Sequence, residues 1–205
     1  MERKDFIMTC AWTALATAGF ASTVMTPVNE QENKLKPFYL PPDKTPLEPT
    51  NGIGIRVKVR GWQTNGHYSC VDFAVAPKRM GPAPHIHKDL DELMYVHKGT
   101  ISVMVGNEVT EVKAGGWHFR PRGIVHTFWN ATDETVLATD MYFHQNFEEF
   151  LEELFHQLIP EMVQRNLTPA SPDIAKRIEA LHQRFGITSF QEQRQPIIDK
   201  YRLIG

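Results

Sequence analysis

The run Gly81-Pro-Ala-Pro-His85-Ile-His87-Lys-Asp-Leu-Asp-Glu92-Leu-Met-Tyr-Val-His-Lys-Gly99 carries two histidines one residue apart and then a carboxylate after a short spacer. Side chains two apart on a β-strand point to the same face, so His85 and His87 present two imidazoles side by side. The four residues between His87 and Glu92 leave room for the chain to turn. Met94 and Val96 then continue on the face of Glu92 and are expected to floor an apolar pocket, with Met94 as a candidate substrate contact.

Downstream, Gly115-Gly-Trp-His-Phe-Arg-Pro121-Arg-Gly123-Ile-Val-His126-Thr-Phe-Trp-Asn130 reads as a strand, a Pro-x-Gly turn and a second strand. Gly123 suits a turn position that demands unusual backbone angles, and His126 emerges just inside the following strand. Phe128 shares strand parity with His126 and is a candidate pocket wall and substrate contact, although an ordinary core Phe has the same pattern.

These two stretches resemble the two sequence motifs of the cupin superfamily. The first resembles His-x-His-x4-Glu-x6-Gly, and the second matches Gly-x5-Pro-x-Gly-x2-His-x3-Asn at every fixed position. One departure is Arg79, which stands where the family's leading Gly falls, six residues before His85, with Gly81 lying closer. With its flanking strand pattern the resemblance covers about half of the chain. It implies a mainly β fold, a double-stranded β-helix or cupin jelly-roll barrel, in a bacterial cupin similar to quercetin-dioxygenase-like proteins. It also implies a metal site made of His85, His87, Glu92 and His126.

Three neutral imidazoles and one carboxylate suit one divalent transition metal (iron, manganese, nickel, copper or zinc), whereas calcium or magnesium prefers mostly oxygen ligands. Four ligands leave coordination positions open for water or substrate. The resemblance thus implies a dioxygenase-like oxidoreductase acting on a small enol- or phenol-type molecule, with Glu92 as ligand and catalytic base. A metal-dependent isomerase or lyase, and a barrel that binds a small ligand without turnover, fit the same residues, because a fold does not fix a function. His118 could reach the pocket mouth but is expected at the surface, as polar residues outside motifs usually are. His97, His156 and His182 are expected as surface or packing residues, and Trp117 and Trp129 as core or inter-sheet packing.

Around the motifs, short β-branched and aromatic runs recur: Ile53 to Arg60, His67 to Ala76, Leu93 to His97, Ile101 to Val105, Val109 to Val112, Trp117 to Arg120, Val125 to Trp129 and Thr135 to Phe143. Such spacing predicts an antiparallel sandwich or barrel over residues 51–145. Gly106-Asn107 is a tight hairpin signal. After His144 the period changes, and Phe147, Phe150, Leu151, Leu154, Phe155 and Leu158 form the stripe of an amphipathic helix, with Asn146 and Glu149 as a capping pair. A second helix is predicted from a Ser171 cap and Pro172 in the first turn to Gly186. Residues 146–205 are therefore a helical extension that clads the barrel or forms a dimer contact. An exposed sheet edge offers another route to a homodimer.

Residues 22–50 contain Pro27, Pro37, Pro41, Pro42, Pro46 and Pro49 and read as a linker or arm. Ahead of them, Arg3 and Lys4 precede an uncharged stretch from Ile7 to Ala21, the layout of a signal peptide over residues 1–21. The order Arg3-Lys4-x-Phe6-Ile7 also resembles a twin-arginine signal with Lys4 replacing the second arginine. Export to the periplasm or the extracellular medium is expected; a buried amphipathic helix is the other reading of the stretch. It is too short and Thr-rich for a stable membrane span, which needs about 20 apolar residues.

With 205 residues, 41% of them hydrophobic, the chain fits one globular domain with decoration. Lys and Arg total 22 against 24 for Asp and Glu, which leaves no basic surplus to attract nucleic acid, and the resemblance implies a small molecule as partner. Cys10 and Cys70 are too few for a disulfide framework, and Cys70 is expected as a small buried apolar residue on a strand.

Overall fold

The computed structural model of the chain describes residues 34–205, so the expected signal segment and the first part of the arm lie outside the described residues. Ten strands follow in order: β1 (Ile53–Val59), β2 (Tyr68–Val75), β3 (His85–His87), β4 (Asp91–Lys98), β5 (Thr100–Val105), β6 (Glu108–Lys113), β7 (Trp117–Arg120), β8 (His126–Trp129), β9 (Val136–Phe143) and β10 (Ile187–Ser189). They pair into two antiparallel sheets, one in the order β1-β2-β9-β4-β7 and one in the order β10-β3-β8-β5-β6. Together these make the double-stranded β-helix barrel, and each β-branched run named from the sequence contributes a strand. Val105 pairs with Glu108 across Gly106-Asn107, and Gly106 takes the positive φ of +58° that this two-residue turn requires.

Alternation along the strands stacks the barrel interior in layers. On the inner face of β9, Val136 and Ala138 are apolar, Asp140 is charged, and Tyr142 follows. On β4 the same order runs Val96, Met94, Glu92, with Leu90 just beyond the strand. Val96, Met94, Val136 and Ala138 belong to an inter-sheet cluster with Phe73, Val75, Ile101, Val103 and Val112. Tyr142 and Leu90 belong to a second cluster with Phe147, Phe150, Leu158, Ile174, Leu181 and Phe185 from the helices. A slab of buried polar side chains thus lies between two apolar layers, one barrel and one helical. Because burying a charged group without a partner is costly, this slab is where function is to be sought.

The extension consists of α1 (Phe147–Glu153) running through a π-helical turn (Leu154–Leu158) into α2 (Ile159–Arg165), then α3 (Pro172–Phe185) and α4 (Arg194–Tyr201). Neither expected cap forms by its side chain. Asn146 is turned instead toward Gly61, where a Cβ would fall 1.8 Å from its Oδ1, and Ser171 Oγ accepts from the Thr168 amide at 3.0 Å. α3 starts with Pro172 in its first turn and ends on Gly186 with φ +62°, as the sequence predicts. β10 and α4 have no counterpart in the sequence reading. β10 is three residues long, and α4 carries Pro196 and a single buried side chain, Ile198. The arm residues 34–50 pack by polar contacts, with Arg56 donating to the Thr45 and Pro46 carbonyls and Lys58 pairing with Asp43. Cys70 is a half-buried free thiol on β2, pushed up to about 11 by burial and then by Asp72. No helix among the described residues is long and apolar enough to cross a membrane.

Candidate metal centre

Three strands deliver the four candidate ligands. His85 on β3 stands directly opposite His126 on β8 in the register of one sheet, and His87 lies two residues further along β3. Glu92 comes from β4 in the facing sheet. The Pro121-Arg122-Gly123 turn that leads into β8 is fastened to the other two ligand-bearing strands, β3 and β4. The Gly123 amide donates to the His87 carbonyl at 2.9 Å, and Gly123 takes a φ of +75°. Arg122 closes on Asp91 through its backbone N (2.9 Å), Nε (3.0 Å) and Nη2 (2.6 Å), which lowers the Asp91 carboxyl to about 2.

The ligand atoms of His85, His87, Glu92 and His126 all lie within 4.8 Å of one another, and the group could hold a metal ion. An ion ~2.0–2.2 Å from each ligand atom would separate those atoms by ~3–4 Å, a compatible span. Glu92 bridges the histidines: its Oε1 is 3.3 Å from His87 Nε2 and its Oε2 is 3.1 Å from His126 Nε2. Nδ1 of His85 bonds the Ala83 carbonyl at 2.9 Å and Nδ1 of His126 bonds the Ile124 carbonyl at 3.0 Å. A carbonyl only accepts, so both rings carry their proton on Nδ1 and keep the Nε2 lone pair available to an ion. Nε2 of His87 and of His126 are buried without a hydrogen-bond partner. Burial, with His126 and His87 beside it, holds His85 well below its ordinary pKa, in the neutral form that a metal ligand needs.

Around Glu92 the structure adds residues that sequence reasoning missed. Arg120, opposite Glu92 on β7 and 1% exposed, donates Nε to Glu92 Oε2 at 2.7 Å and Nη2 to Asp140 Oδ1 at 2.7 Å. Tyr142 reaches Asp140 Oδ2 at 3.4 Å. Burial opposes ionisation of Glu92, but the Arg120 cation and His126 prevail and hold its carboxyl well below the usual range. Asp140 is pushed up by burial, against Arg120 and with the help of Glu92. Tyr142 is raised well above its ordinary value by burial and by Asp140. A signal for Asp140 did exist, since it sits at an inward position of an otherwise apolar alternating run. Arg120 could have been found from its parity with His118 once β7 was placed beside β4.

The remaining candidates divide. Met94 is fully buried within the inter-sheet cluster, opposite Asp140 and His118. Phe128 is half-buried between Phe73 (5.4 Å) and the Arg120 guanidinium (5.9 Å). His118 is not a surface residue. It shares the inward parity of Arg120, is half-buried, and is lowered by burial, then by Arg120 and His126. The same parity turns Trp117 outward, 55% exposed against Tyr95 at 4.6 Å, so of the two only Trp129 is core, its ring tilted against Tyr201 at 4.6 Å. His97 is exposed and bonded to Thr139, His156 is exposed, and His182 packs on Phe150. Phe147 sets its ring edge against His87 at 4.9 Å, so the extension touches the centre directly. A groove of about 320 Å³ beside the arm, lined by residues such as Leu47, Ile55 and Phe155, shares no residue with the centre.

Residues 71–142, which include all four converging side chains, match the cupin domain family, and the fold is that of a cupin. Similar solved structures include KdgF from Halomonas sp., at 19% identity and a TM-score of 0.43, covering 51% of this chain and 88% of that one. A double-stranded β-helix protein from Klebsiella pneumoniae is 24% identical with a TM-score of 0.42, covering 49% of this chain and 84% of that one. Oxalate decarboxylase from Bacillus subtilis, a manganese protein, is 17% identical with a TM-score of 0.41, covering 46% of this chain but only 26% of its own length. No curated protein matches the sequence.

Proposed function

We propose that the chain is a metal-dependent, dioxygenase-like oxidoreductase acting on a small enol- or phenol-type molecule, as its resemblance to quercetin-dioxygenase-like cupins implies. One observation carries the reading: two buried imidazole nitrogens, Nε2 of His87 and Nε2 of His126, lack partners and flank the Glu92 carboxylate. When bound, a divalent ion would polarise an enol or phenol oxygen and provide positions for oxygen activation. His85, His87 and His126 would hold it from one sheet and Glu92 from the other. Glu92, with Arg120 bonded to its Oε2, would serve both as ligand and as the base that takes the substrate proton. Met94 and Phe128 supply apolar wall beside it, and the helical cluster shields the centre from water.

Metal analysis of the purified protein, followed by oxygen-electrode traces with flavonols and catechols, tests the reading. Iron, manganese, nickel or copper with substrate-dependent oxygen uptake is the expected result. Zinc alone without uptake would sink it and leave an isomerase, a lyase or a pure binder. Glu92→Gln should abolish turnover, whereas a pure binder would keep most of its affinity.

From the sequence pattern we also propose that residues 1–21 are a signal peptide, that residues 22–50 are an arm, and that the exported protein comprises barrel 51–145 and extension 146–205 and acts as a homodimer. N-terminal sequencing of material from the native host should begin near Ser22, and an intact Met1 in cytosol would refute export. Sedimentation of the purified protein reads the oligomeric state.

A further inference from the structure

Arg120 uses only two of its three guanidinium nitrogens. Nε and Nη2 are bound by Glu92 and Asp140, while Nη1 is buried without a partner. Two residues away on the same face of β7, Nδ1 of His118 is likewise buried and unpartnered. The register sets His118 opposite Met94 and Arg120 opposite Glu92, and Phe128 closes on the guanidinium from the other sheet. Two unanswered nitrogens therefore line the strand beside the one that brings Glu92 to the centre. A buried donor left unpaired is costly, and a guanidinium favours a planar acceptor with two oxygens.

Formal charge points the same way. A divalent ion brings two positive charges and Arg120 one, Glu92 and Asp140 one negative charge each, and the imidazoles none. One positive charge remains enclosed, which a neutral phenol would not balance and a monoanion would. We propose that the ligand of this site is a small enolisable carboxylic acid, bound as its monoanion, with the carboxylate on Arg120 Nη1 and His118 Nδ1 and the enol or oxo oxygen toward the ion. The inference rests on the four-residue metal centre but not on oxygen chemistry.

The test uses the zinc-loaded protein, which is redox-inert, with pyruvate as probe and methyl pyruvate as its neutral counterpart. Calorimetry should show pyruvate binding about ten-fold more tightly. Arg120→Lys, which keeps a cation beside Glu92 but lacks the third nitrogen, should lose about that factor for pyruvate only. Should that variant not fold, His118→Phe leaves the Glu92-Arg120-Asp140 pairing in place and should weaken pyruvate about three-fold at unchanged zinc content. A crystal structure with pyruvate decides the placement. A carboxylate oxygen within hydrogen-bond distance of Nη1 supports the proposal, whereas pyruvate absent, or held by zinc alone with water on Nη1, overturns it. Pyruvate docked on Arg120 in a protein that never consumes oxygen removes the dioxygenase reading alone. Oxygen uptake with a phenol and no carboxylate on Arg120 removes this inference alone.

Discussion

Glu92 is the residue on which the centre turns, because its two oxygens face His87, His126 and Arg120 at once. Removing one metal ligand leaves the others short of a full set, so His126→Ala should lower the metal content of purified protein steeply, as read by elemental analysis; unchanged content would undo the ligand assignment. Arg120 is a different case. Replacing it with Met leaves Glu92 and Asp140 buried without their cation, at a cost of about 3–5 kcal/mol in chemical denaturation of the metal-free protein. A loss within the range of an ordinary surface substitution would mean that water, not Arg120, satisfies the two carboxylates. The histidines and Glu92 were legible in the sequence because they stand at the fixed positions of the two motifs that the chain shares with cupins; strand geometry alone paired only His85 with His87. Arg120, Asp140 and the inward turn of His118 were not, because their meaning depends on which strand lies beside which.

At the scale of elements, the extension proves to be part of the sheet that carries the histidines. β10 pairs with β3 residue by residue, Ile187 to His87 and Ser189 to His85, while on its other side β3 has one paired residue with β8. The Lys88 amide donates to the Gly186 carbonyl at 3.0 Å, which ties the helix C-terminus to the loop after His87. Ending the chain at Gly186 should therefore lower both the thermal midpoint and the metal affinity, and a truncated protein with full metal affinity would show that β3 holds its place without β10. The Asp91-Arg122 clamp has a similar role for the turn before His126, and Asp91→Asn should weaken metal binding about ten-fold or less, as second-layer substitutions at metal sites do, read by competition with a chelator. The strands and the first helices were readable from apolar periodicity. A three-residue strand such as β10 has too few residues to show a period, and it forms because an edge is there to receive it.

For the whole molecule, burial couples stability to pH. His85, His118 and His182 are all held below the ordinary value of 6.5, with burial as the largest cause for each. Below about pH 6.5 the unfolded chain takes up protons that the folded chain refuses, so stability falls as pH falls. Denaturation midpoints of the metal-free protein at pH 8 and pH 5.5 should differ in that direction, and equal midpoints would refute the claim. The sequence by itself determined the barrel and its hairpin through alternation and turn chemistry, which are local properties of a strand, and the histidine-carboxylate set through the resemblance of its two motifs to those of cupins. Only the tertiary structure decided what surrounds that set: the cation on Glu92, the layer of Asp140 and Tyr142, and the helical tail that touches His87 and completes the sheet. Those depend on contacts between residues far apart in the chain, and no local period encodes them.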